Sequence, residues 1–414
     1  MSAMPRSLPS SFWWGTAASS TQVDGSAPAS DYRRWEGLGK VPPSGDGNGF
    51  TRRYAEDFAL FAEHGLTQHR LSLEWARLEP VEGKHDDEAV EHARSVLTAA
   101  RDAGLEPWVC LHHFSLPGWF SDDMGGFVDE RARTYHWPRH VAWVAETFGD
   151  LAAGWKPINE PVAYAAAGWL LGVNPPGAAD LNQFLEALEA THLANHEAWR
   201  QLRGGDQPVA TIMDLSPLVA GTTGDDPDEA ELARAALDVV DDVSWGSWIR
   251  ALRDGVLHVP GRSPIEIDDM AGSFDLIGFS YYSGHQVMAD TSLKPYPPDR
   301  RLNDVGEAPW PEGLGIVIRR LADELPGRAL LVCEHGVGTD DDEWRTALLD
   351  EALEQVADAV DDGIDVRGFF HWTGVDNYEW AHGYDVRFGL FDTDRRPKGS
   401  AALAKAWATA ARSD

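Results

Sequence analysis

The stretch Trp155–Pro161, WKPINEP, begins as a strand and stops on a carboxylate. Trp155 to Ile158 reads as the end of a buried extended run; Asn159 and Glu160 then place an amide and an acid at its finish, and Pro161 turns the chain. The same pattern recurs. Short apolar, β-rich runs occupy 12–17 (FWWGTA), 69–75 (HRLSLEW), 106–113 (EPWVCLHH), 154–159 (GWKPIN), 208–215 (PVATIMDL), 275–282 (DLIGFSYY), 329–334 (ALLVCE) and 367–372 (RGFFHW). Amphipathic stretches lie between them. Val90, Ala93, Leu97 and Ala100 keep helical spacing up to Gly104, and Leu349, Leu353, Val356 and Val360 do so up to Gly363.

Eight strand–helix units without a Gly/Ser-rich linker predict an α/β fold, a single (β/α)8 TIM barrel over residues 1–414 with its active site at the C-terminal ends of the strands. A doubly wound sheet is the alternative, but GTAASSTQVDGS after the first run carries no G-x-G-x-x-G phosphate turn. The polar, proline-rich segment 284–313 reads as a long loop between strands six and seven. No internal repeat is visible.

Composition narrows the partners. The 414 residues carry a formal charge of −32, and six of the 35 basic side chains are lysine. That acid excess argues against nucleic acid or an anionic membrane as a partner. A GC-rich coding bias explains the scarcity of lysine but not the surplus of Asp and Glu, so an acidic, salt-adapted shell stands beside it as a reading. The acidic runs DDPDEAE and TDDDEW read as solvated loops and helix starts. Cys110 and Cys333 sit in apolar runs as buried thiols. The opening MSAMPRSLPSSFWWG has no secretory apolar region, and no run approaches the ~18 apolar residues of a membrane span. The expectation is a cytoplasmic protein whose oligomeric state, including a homo-oligomer, stays open.

The strand ends carry the chemistry. Strand one runs toward Gln22, strand two holds Arg70 and Trp75, strand three ends in His112 and His113, and strand four in Asn159 and Glu160. Strand six ends in Tyr281 and Tyr282, strand seven in Glu334, and strand eight in Trp372, with Glu379 and Trp380 just after. Glu160 and Glu334 lie across the barrel from each other. Facing carboxyls among aromatic rings suit glycoside cleavage: one protonates the leaving oxygen and the other attacks the anomeric carbon. Taken alone, Glu160 before a proline also reads as a helix N-terminal acid. Glu334 after an apolar run needs a partner in either case. His112 and His113 point to opposite faces, with His112 as the core residue. No third ligand lies at useful spacing, so no metal is expected. Trp13, Trp14, Trp108 and Trp119 read as packing.

With SSFWWGTAASSTQVDG, HRLSLEWARLEP, LHHFSLPGWF, INEP, GFSYYSG, CEHG and HWTGVDNYEWAHGYDVRFGL in this order, the chain resembles the retaining β-glucosidases of glycoside hydrolase family 1 over nearly its whole length. The resemblance implies Glu160 as acid/base and Glu334 as nucleophile, with Asn159 on the sugar 2-hydroxyl. Arg70 and Tyr282 would hold Glu334 ionised. Gln22, His113, Glu379 and Trp380 would bind the other hydroxyls, with Trp372 as the stacking floor and Phe388 closing the pocket near the 6-hydroxyl. A negative Glu334 roughly 5 Å away would hold the proton on Glu160. The implied substrate is a β-glucoside or a β-linked disaccharide or oligosaccharide, with β-galactoside or β-fucoside also accepted and no cofactor required. Glu379 would repel a 6-phosphate. A transglycosidase and a noncatalytic sugar-binding barrel are the competing readings.

Several positions depart from the family pattern. His335, Ser280, His382 and Thr21 stand where Asn, Asn, Glu and Tyr are common, and the segment between Trp35 and Phe50 is short. Val162 and Glu307 fall where relatives offer tryptophan to the leaving group. A wider or more polar outer site is therefore expected, with Trp169 or Trp310 as substitute platforms.

Overall fold

Eight parallel strands curl into one sheet in a computed structural model that describes residues 6–224 and 226–410. The first five residues of the opening stretch lie outside the described residues. The strands are β1 (Trp13–Ala17), β2 (Gln68–Ser72), β3 (Glu106–His112), β4 (Gly154–Ile158), β5 (Met213–Asp214), β6 (Leu276–Ser280), β7 (Ala329–His335) and β8 (Val366–Trp372). Their spatial order is β4-β3-β2-β1-β8-β7-β6-β5. The two ends meet through a parallel bridge, Trp155 to Val209, with Trp155 N–H donating to the Pro208 carbonyl and Ala210 N–H to the Trp155 carbonyl. That closure makes a (β/α)8 barrel and removes the free edges of a doubly wound sheet.

Period-two alternation divides the strand residues between two cores. Ala17, Trp108, Cys110, Ala210, Ile212, Leu276, Leu331, Cys333, Phe370 and Trp372 fill the lumen. Val109, Leu111, Ile158, Ile277, Phe279, Leu330, Val332 and Phe369 face the helices. Lys156 joins the lumen, fully buried, with Nζ 4.2 Å from the Phe370 ring and 5.2 Å from that of Trp108. Burial lowers its pKa to about 8.

The helices follow local chemistry. Asp86 caps Asp87–Asp102 by accepting from the Glu88 and Ala89 N–H groups, and the chain leaves the helix through Gly104 at φ +83°. Ala93, Leu97 and Ala100 of the expected stripe are buried, and Val90 packs at its margin. The acidic runs do start helices: Asp341 caps Asp342–Asp361 and Asp226 caps Pro227–Asp241.

Three expected boundaries move. Strand two ends at Ser72, because Trp75 opens the short helix Trp75–Leu78. Regular pairing in strand five covers only Met213–Asp214, and the rest of 208–215 joins the barrel through single bridges. Segment 284–313 is not a plain loop. Gly284–Val287 pairs in parallel with Leu218–Ala220 and antiparallel with Leu293–Tyr296, and helix Pro311–Glu324 begins within the segment. The pairing partner comes from a distant stretch, which no local pattern reports.

Gly278 on β6 permits the close approach of β5. A Cβ there would collide with the Thr211 carbonyl oxygen and lie 2.6 Å from Cys333 Sγ. Gly278→Ala should destabilise the fold by about 2 kcal/mol. A lowered urea midpoint or apparent Tm would show it, and an unchanged midpoint would refute this packing argument.

Candidate active site

The sequence places Cys333 and Glu334 next to each other, and strict alternation would turn one of them away from the lumen. A register shift resolves the conflict. Pairing with β6 jumps between Val332 and Glu334, and pairing with β8 jumps between Val332 and His335. Such a bulge re-aims the following side chain, so Cys333 packs in the lumen while Glu334 enters the barrel mouth.

One layer of the barrel is matched to it. Trp372, Ala17, Arg70 and Trp108 are successive register partners across β8, β1, β2 and β3. The small Ala17 leaves room for its large neighbours, and the Arg70 guanidinium lies 5.4 Å from the centre of the Trp372 ring. Arg70 Nη2 pairs with Glu334 Oε1, and Tyr282 donates to Oε2 at 2.6 Å. Arg70 Nη1 donates to His113 Nδ1 at 2.9 Å. That bond leaves the hydrogen of neutral His113 on Nε2, and burial with the nearby Arg70 charge pushes the His113 pKa well down. The His113 ring stacks between those of Trp372 and Trp380, at 5.6 and 5.9 Å.

Glu160 follows β4 in a left-handed conformation at φ +45°, with its N–H donating to the Ile212 carbonyl at 2.9 Å. It directly precedes helix Pro161–Ala165, at whose N-terminus its side chain makes no capping bond. Both amide atoms of Asn159 are buried and unpaired within the protein, an arrangement that suits a polar ligand. Glu379 sits at the other end of the site. It accepts from Gln22 Nε2 at 3.0 Å and from Trp372 Nε1 at 3.3 Å.

A cavity of about 350 Å³ brings these groups together. His113, Asn159, Glu160, Tyr282, Glu334, Trp372, Glu379, Trp380 and Phe388 all line it, and Arg70 and Gln22 stand directly behind. His112 turns away and packs against Phe127 and Tyr164. Neither Trp169 nor Trp310 is among the lining residues. Trp169 packs on Tyr164, and Trp310 packs on Tyr296 while its carbonyl accepts from Tyr281. The expected substitute platforms are therefore absent, and Glu307, Val305, Val173 and Asn174 line that side.

Burial pushes the pKa of Glu160 up to about 8, followed by the charge of Asp214, while the Ser280 hydroxyl and Arg70 act against the rise. Asp214 thus joins Glu334 as a carboxyl whose charge bears on the Glu160 proton. Asp214 went unread although its run ends in a carboxylate as plainly as INEP does. Glu379 is likewise raised to about 8 and Glu307 to about 7, both chiefly by burial. His335 donates Nδ1–H to the Tyr281 carbonyl at 2.8 Å, so this departure is structurally accommodated.

A closed parallel barrel with two buried carboxyls among tryptophans at its mouth defines a carbohydrate-cleaving enzyme. Residues 4–409 match the model of Glycosyl hydrolase family 1, and the chain belongs to that family. It is similar to Beta-glucosidase 1B of Phanerodontia chrysosporium, 26% identical over 98% of this chain and 86% of that protein. It is also similar to 6-phospho-beta-glucosidase GmuD of Bacillus subtilis, 24% identical over 96% of this chain and 95% of that protein. A solved beta-glycosidase from Pyrococcus horikoshii superposes with a TM-score of 0.89 at 29% identity, covering 99% of this chain and 96% of that one.

Two predictions follow from the electrostatics. Arg70→Met leaves the buried Glu334 carboxylate without its cation and should cost about 3–5 kcal/mol of stability, measured by chemical denaturation. The raised carboxyls bind protons more tightly in the folded chain than in the unfolded one, so stability falls as pH rises toward 8. Buried neutral imidazoles such as His69 and His371, lowered to about 3, act oppositely, but only below their unfolded value of 6.5. The apparent Tm should therefore fall between about pH 6.5 and 8, and Glu379→Gln, which mimics the neutral acid, should flatten that slope.

Proposed function

We propose that this enzyme hydrolyses terminal non-reducing β-D-glucosyl residues with retention, through a covalent glycosyl-enzyme on Glu334. The carrying observation is Glu334 itself, buried with Arg70 on one oxygen and Tyr282 on the other, in the same cavity as Glu160, whose pKa burial raises to about 8. In the first step a Glu334 oxygen bonds to the anomeric carbon. The glycosidic C–O bond breaks, its electron pair goes to the leaving oxygen, and the Glu160 proton follows. Glycosylation removes the Glu334 charge, so Glu160, now ionised, can take a proton from the attacking water.

Asn159, unpaired within the protein, would bond the 2-hydroxyl. Glu379, Gln22 and His113 Nε2–H would hold the remaining hydroxyls over Trp372, with Trp380 and Phe388 closing the sides. Glu379 and the absence of lysine among the lining residues favour an unphosphorylated sugar, unlike the substrate named for GmuD. The leaving-group side presents Glu307 and Asn174 in place of a tryptophan face, which favours sugar or alkyl leaving groups. A transglycosidase would share the first step and differ in the acceptor.

Glu334→Ala should lower turnover of p-nitrophenyl β-D-glucoside by at least ~10⁴-fold, and wild-type rates in that variant would end the proposal. Product analysis by NMR should show the β-anomer first, and added alcohol or sugar separates hydrolysis from transfer. Across a glycoside panel, strong selectivity for aryl over alkyl glucosides would contradict the polar leaving-group site.

A further inference from the structure

Strand β5 brings a third carboxyl to the barrel mouth. Ala210 and Ile212 point into the lumen, packed with Trp108, Cys110 and Cys333. Residues two apart on a strand share a face, so Asp214 stands next above Ile212 on the same wall. Glu160 is tied to that wall through its N–H bond to the Ile212 carbonyl. On the opposite flank Asp214 is in register with Ser280, and Ser280 with Glu334. The Asp214 strand therefore lies beside β4, which presents Glu160, and is separated by β6 from β7, which presents Glu334. Among the described residues no cation is paired with Asp214 in a salt bridge, whereas Glu334 has Arg70. Beside it the fully buried Ser280 hydroxyl acts on Glu160.

Resting on the reading of Glu160 as the acid, we propose that Asp214 is a positioning residue that keeps the proton on Glu160 until the leaving oxygen takes it, with Glu307 reinforcing it from the outer rim. The surrounding charges agree. The charges of Asp214 and Glu307 both oppose ionisation of Glu160, while Arg70 favours it. Glu334 is paired with Arg70 and accepts from Tyr282. Tyr282 and His113 are held neutral by burial, and Glu379 and His382 line the cavity alongside them. Asp214 is itself raised only to about 6, so near pH 7 it carries the charge that opposes a second one on Glu160. The consequence falls on poor leaving groups. A sugar or alkyl oxide cannot depart without a proton, whereas dinitrophenolate can.

The test compares the full chain with Asp214→Asn on cellobiose and on 2,4-dinitrophenyl β-D-glucoside. The alkaline limb of kcat/KM for cellobiose should move to lower pH by about one unit. At about pH 8 the ratio of cellobiose to dinitrophenyl turnover should fall by roughly 5-fold. Asp214→Glu should restore both, and Glu307→Gln should shift the limb the same way by less. The inference is overturned if the limb stays put in folded Asp214→Asn, or if both substrates lose activity equally, as a merely structural role would give. Should Asp214→Asn not fold, an unmoved limb in Glu307→Gln overturns it. Glu160→Gln separates the two readings. If that variant still cleaves cellobiose at the wild-type rate, the acid assignment fails and the inference with it. If it loses cellobiose but is still glycosylated by the dinitrophenyl glucoside, the acid assignment stands whatever Asp214 does.

Discussion

The buried pair between Arg70 and Glu334 is the constraint around which the barrel mouth is arranged. Two charges removed from water cost several kcal/mol each unless their remaining hydrogen-bonding capacity is met. Here it is met from three strands: Arg70 comes from β2, Glu334 from β7, and Tyr282 follows β6. The same guanidinium fixes the His113 tautomer and lies against the Trp372 ring. One cation therefore sets the charge of a carboxylate, the donor face of an imidazole and the position of an aromatic floor.

This arrangement divides the cavity into two electrostatic halves. Around Arg70, negative charge on Glu334 is stabilised. On the β4–β5 side, burial and Asp214 work against negative charge on Glu160. Two glutamates lining one cavity thus meet opposite environments. Two carboxyls in environments this different can serve as acid and nucleophile at one pH. Backbone geometry supports both. A register shift re-aims Glu334 after an already inward Cys333, and a left-handed φ carries Glu160 off the end of β4. Conformations of that kind persist where the surrounding structure over-determines them.

The leaving-group side is less rigidly specified. Glu307 comes from an irregular segment after the small sheet formed by Leu218–Ala220, Gly284–Val287 and Leu293–Tyr296, and it is held by Asn303 through its own N–H. Carboxyl and amide groups stand where an aromatic ring would give a flat face. Hydroxyl-rich partners suit such a wall better than planar ones, because they can hydrogen-bond to it.

How far the sequence carried can be read residue by residue. Apolar runs at intervals, their polar tips and the helical stripes between them are local properties, so the eight strands and the residues at their ends were legible, Glu160 and Glu334 included. Segment 284–313 was misread because its strand partner lies near Leu218, and Trp169 and Trp310 were misassigned because side-chain direction depends on packing. Asp214 was visible as a strand end, but its importance lies in the register with Ser280 and the alignment beside Glu160. By itself, then, the sequence determined which groups sit at the barrel mouth, since alternation and turn chemistry are encoded within a few residues. Only the tertiary structure decided which carboxyl is paired with a cation and which is left among like charges, because burial and Coulombic interactions depend on distances between strands far apart in the chain.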